Sequence, residues 1–70
     1  MPKTRIVTFV EKYYDTYDIE RAKVAVCKYF DIWLEYNKNV EVLSMSFNDI
    51  RHVHNEECGI AEINLIVSEE

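Results

Sequence analysis

Seventy residues with a net charge of −5, two cysteines, one glycine and one proline make a single small acidic domain (residues 1–70). A 49% hydrophobic content excludes disorder, two cysteines are too few for a disulfide framework, and 8 basic against 13 acidic residues disfavour direct nucleic-acid binding. No stretch approaches the roughly 20 apolar residues of a membrane span and no charged leader precedes an apolar run, so a cytoplasmic protein without membrane contact is expected.

A chain this short buries only roughly 60% of the surface that its unfolded form exposes. Its core needs reinforcement from a disulfide, a metal or another subunit. Arg5 to Val10 (RIVTFV) is β-branched and aromatic and reads as a strand. Val7 and Phe9 fall on one face and Ile6 and Val10 on the other, so both faces call for cover. The polar, tyrosine-rich connection that follows ends at Asp18, the expected N-cap, with Asp15 or Thr16 as alternatives.

A helix is expected from Ile19 to about Tyr36, closed by Asn37-Lys38-Asn39, with Asn suited to a left-handed cap. Ile19, Ala22, Val26, Tyr29, Phe30 and Trp33 form its apolar stripe. Ala25, Ile32 and Tyr36 widen that stripe on one side, Cys27 and Leu34 on the other. The arc spans roughly 220°, against the ~100° that packing on one sheet requires. A second cover is therefore expected, most simply another subunit, with Ile32, Trp33, Leu34 and Tyr36 at the interface.

Val40 to about Val53 reads as a second strand with Leu43, Met45 and Phe47 on its core face. Residues 55–59 form a turn, and Ile60 to Val67 is the third strand, with Ala61, Ile63, Leu65 and Val67 pointing inward. The two make a hairpin, and the order is β-α-β-β. The expected class is α+β: one amphipathic helix on a small, mostly antiparallel sheet, completed by oligomerisation.

The strand RIVTFVEKYY, the helix DIERAKVAVCKYFDIW and the final strand CGIAEINLIV resemble the small sporulation-associated proteins of bacilli. The element order also resembles dodecin, an oligomeric flavin binder. These resemblances imply a small β-α-β-β fold and, from dodecin, an oligomer with interface pockets. They transfer no functional residue, because the stacking tryptophan of dodecin opens the second strand and Trp33 lies in the helix.

Chemistry is sparse. His52 and His54 share a strand face with Cys58 across the turn, a weak metal set that matches no standard zinc spacing. No phosphate loop, HExxH motif or nucleophile elbow is present, Cys27 sits on the apolar side of the helix, and Cys58 with His54 lacks an orienting third group. No enzyme and no cofactor are expected. Tyr13, Tyr14 and Tyr17 are candidates for a partner or ligand surface, or for packing at an interface or in the core. Arg51 joins them as a candidate ligand contact, as do Arg5, Lys12 and Arg21 for a ligand carrying phosphate. Two functions fit: a small acidic regulator or inhibitor that binds a protein, of the sort that phages and mobile elements encode, or a homo-oligomer that holds a small molecule such as a nucleotide or flavin at subunit interfaces.

Overall fold

The computed structural model describes residues 2–69. Strand β1 (Lys3–Tyr13) leads through a 3-10 turn (Thr16–Asp18) into helix α1 (Ile19–Tyr36). Strands β2 (Val40–Arg51) and β3 (Gly59–Glu69) form the closing hairpin. The sheet order is β1-β3-β2 and both pairings are antiparallel. β1 and β2 thus run parallel with β3 between them, and α1 is the crossover that joins them. The expected α+β class and element order hold.

The strands run longer than their apolar segments. β1 keeps a continuous register with β3 from Lys3↔Glu69 to Tyr13↔Gly59, which carries it beyond the expected residues 5–10. Backbone pairing, not apolar content, sets those ends. α1 matches its expected bounds, but its caps differ. Asp18 makes no side-chain cap bond. Asp15 caps the preceding 3-10 turn instead, its Oδ1 accepting from the Asp18 N–H at 3.0 Å. Asn37 stays at φ −132°, so no left-handed cap forms; its side-chain amide donates to the Trp33 carbonyl at 2.8 Å.

The core lies between α1 and one sheet face. Tyr13, Ala22, Val26, Ala61, Ile63, Leu65 and Val67 are buried. All four inward residues expected on β3 are among them, because the central strand alone is covered along its length. Phe9 stacks on Phe30 and meets Trp33 edge-on, both at 6.1 Å between centroids. Trp33, expected at an oligomer interface, is half-buried and packs against the core of its own chain.

The proportions leave much of the sheet bare. An 18-residue helix is about 27 Å long and strands of 11 to 12 residues reach about 37 Å. The radius of gyration is 13.9 Å, against about 11 Å for a compact chain of this length. α1 packs on β1 and β3; on β2 only Val40 and Val42 pack against the core, and the strand from Leu43 onward is exposed. The expected core face of β2 is therefore corrected: Leu43, Met45 and Phe47 are all exposed. Their alternation is also broken. The register passes from Val42↔Val67 to Ser44↔Ile66, so Leu43 is the extra residue of a β-bulge while Val42, Met45 and Phe47 share the helix-facing side. On the opposite side no element among the described residues covers the sheet; Ile6, Val10, Ile50 and Ile66 lie exposed around a polar ladder that links Thr8, Asn64, Glu62 and Asn48.

Candidate functional site

Two concave features flank the covered core. The first is at the hairpin end, where β1 finishes. There Tyr13 turns inward and is 1% exposed. Its hydroxyl donates a hydrogen bond to Asp49 Oδ1. Arg51 grips Asp49 Oδ2 through Nε at 3.3 Å and Nη2 at 3.1 Å, donates to the Glu56 carbonyl at 3.1 Å, and lies 5.9 Å over the Tyr13 ring. Burial, then the bond to Asp49, push the Tyr13 phenol above its ordinary range. The same bond, followed by the Arg51 guanidinium, holds Asp49 below the usual carboxylate range.

Gly59 makes this packing possible. A Cβ there would sit 2.6 Å from the Ile50 carbonyl oxygen and 2.7 Å from Tyr13 Cζ. No glycine here has positive φ, so Gly59 serves close approach and not a special turn conformation.

The segment after Arg51 bounds a concavity of about 630 Å³, with Lys12, Tyr14, Ile50, His52, His54 and Ile60 in its lining. The imidazoles of His52 and His54 lie 5.8 Å apart between centroids, and His52 Nδ1 accepts from the His54 N–H at 3.1 Å. Cys58 Sγ is directed at the Tyr14 carbonyl, 3.3 Å away. His52, His54 and Cys58 thus border one hollow without converging, and no metal-holding group of three His, Cys, Asp or Glu residues forms among the described residues.

The second feature is a groove of about 470 Å³ between α1 and β2. Its floor is Phe30, Met45, Phe47 and Ile63, Cys27 stands on its wall, and Lys23 and Asp31 mark its rim. Met45 is 58% and Phe47 44% exposed, although both face the helix side of the sheet. Cys27, expected on an apolar and inert helix side, is exposed beside the uncovered Met45 and Phe47 of β2.

The predicted binding residues separate in space. Tyr14 and Tyr17 are exposed. Tyr13 is in the core, which removes it from any exposed tyrosine patch, because the residue alternation of β1 turns it to the helix side. Arg51, expected as a ligand contact, bonds Asp49 and Glu56 and lies over Tyr13, yet stays exposed at the edge of the hairpin-end hollow. Of the interface candidates, Ile32 and Tyr36 are exposed and Leu34 is half-buried. Asp49, Met45 and Phe47 acquire roles that sequence reasoning did not assign. The apolar alternation of β2 was a signal for the last two; nothing local tied Asp49 to a tyrosine 36 positions earlier.

Comparison with protein-family models, with curated proteins and with solved structures gives no match.

Proposed function

We propose that this protein is a non-enzymatic binding module that regulates or inhibits a larger protein by docking on it through the groove between α1 and β2. One observation carries the reading: Met45 and Phe47 belong to the helix-facing side of the sheet and yet lie in solvent. Apolar side chains gathered in a concavity are the usual anchor sites of protein recognition. The occupant that fits is a basic protein presenting an apolar side chain, since the chain carries a net charge of −5 and charge of that sign steers encounter with a basic surface. The test is quantitative affinity capture from source cells with the wild type, Phe47→Ser and Met45→Ser. A basic protein held by the wild type and released by both variants, at unchanged thermal stability, supports the reading. Equal capture by all three sinks it.

A second reading rests on the hollow at the hairpin end. Its volume suits a small ligand, and Lys12, His52 and His54 would favour an anionic one. Native mass spectrometry of the purified protein tests it: a retained mass that disappears with Lys12→Ala favours a small-molecule binder over a protein-binding module.

A further inference from the structure

We propose that two copies of this chain pair edge to edge through β1, antiparallel about a two-fold axis at Thr8, to form one six-stranded sheet. The inference goes beyond the groove reading and uses none of its residues.

β1 is a free edge of 11 residues. Its ladder to β3 runs without a bulge from end to end. β2, the other edge, is broken by the bulge at Leu43, one of the devices that keep an edge from pairing. An unbroken, proline-free edge is a template for another strand.

The side chains of β1 select the partner. About Thr8 the strand is complementary to its own reverse. Arg5 comes opposite Glu11 of the second copy and Glu11 opposite its Arg5. Ile6 comes opposite Val10, and Val7 opposite Phe9. Lys3 and Lys12 fall opposite Tyr13 and Thr4, so no like charges face each other. A shift by two residues in the pairing sum destroys this match. One direction sets Lys12 against Ile6 and Glu11 against Val7; the other keeps one opposite-charge pair, Lys3 with Glu11, but sets Arg5 against Phe9, Thr4 against Val10 and Ile6 against Thr8.

The same edge gathers part of the chain's exposed apolar surface. Ile6 is 72% and Val10 49% exposed on the uncovered sheet face. On the helix side, the Tyr29 hydroxyl donates to Glu11 Oε1 at 2.8 Å, which fixes that flank of α1 over β1. Ile32 and Tyr36 continue the flank at helical spacing and are both exposed, Tyr36 by 83%. Antiparallel pairing about Thr8 brings two such flanks toward each other across the axis, so one contact accounts for apolar side chains on both faces. Within a chain Arg5 already meets Glu69 at 3.0 Å and Glu11 meets Arg21 at 2.9 Å, so the pairing extends existing charge networks.

The test uses sedimentation equilibrium with the full chain and charge variants. The wild type should sediment at twice its 8.4 kDa. Arg5→Glu alone, or Glu11→Arg alone, sets like charges opposite each other twice per dimer and should weaken association by roughly tenfold or more. An equimolar mixture of the two variants restores both opposite-charge pairs and should return association toward that of the wild type. Circular dichroism reports whether each variant folds. Because Glu11→Arg also gives up its bonds to Arg21 and Tyr29, a second measurement stands apart from the charges. In a Cys27→Ser, Cys58→Ser background, Thr8→Cys should oxidise to a covalent dimer, since residues paired with themselves across an antiparallel ladder lie within disulfide reach, and Ser46→Cys on β2 should not. A monomeric wild type at several hundred micromolar, a cross-link at Ser46 in place of Thr8, or growth into open-ended assemblies would each overturn the proposal.

Discussion

Gly59→Ala tests the packing at the hairpin end. The added methyl group lands 2.6 Å from the Ile50 carbonyl oxygen and 2.7 Å from Tyr13 Cζ. The first is backbone of the paired strand, and the second belongs to a ring that is 1% exposed. Neither can swing aside freely. If the ring stays, overpacking costs about 1–3 kcal/mol. If it moves, the hydrogen bond to the Asp49 carboxylate goes, at about 1.5–3 kcal/mol for a bond to a charged group. The chain takes the cheaper route, so the expected loss is about 1–3 kcal/mol. For a domain of this size that lowers Tm by roughly 4–24 °C. Urea unfolding at one fixed protein concentration should show a lower midpoint with an unchanged slope. Combining Gly59→Ala with Tyr13→Phe removes the atom nearest the new methyl group, so the double variant should lose less than the sum of the two single changes. A Gly59→Ala protein with the melting temperature of the wild type would refute the close approach of Tyr13 to Gly59.

Trp33→Ala should cost about 3 kcal/mol, the lower end for an aromatic truncation, because Trp33 is half-buried against Phe9; loss of near-ultraviolet dichroism together with a lowered Tm would show it. The Tyr13–Asp49 bond bounds stability on both sides of neutrality. The lowered Asp49 pKa contributes stability that is present above the usual carboxylate range and is lost as pH falls through the folded value, and Asp49→Asn should flatten that acid limb of a Tm–pH profile. The raised Tyr13 pKa contributes stability that is present below the unfolded tyrosine value and is lost as pH rises through the folded one, and Tyr13→Phe should remove that alkaline limb. In a Cys58→Ser background, a bulky maleimide on the exposed Cys27 should fill the groove, leave the circular dichroism spectrum unchanged and block capture of the groove's partner; capture at full strength would place the partner elsewhere.

Local periodicity determined the element order and the α+β class. The 3.6-residue stripe through Ala22, Val26 and Phe30 and the two-residue alternation of Ala61, Ile63, Leu65 and Val67 each report a face that must be buried whatever lies opposite. The excess of apolar surface was legible too, in the wide arc of the helix and the doubly apolar first strand. Tertiary structure alone decided which apolar face stays bare. Met45 and Phe47 carry the same alternation as Ile63 and Leu65, but β3 took the centre of the sheet and α1 does not cover their stretch of β2. The bulge at Leu43, the burial of Tyr13 and the union of Tyr13, Asp49, Arg51 and Gly59 likewise depend on strand register. Register is a relation between segments tens of residues apart, and no window along one strand contains it.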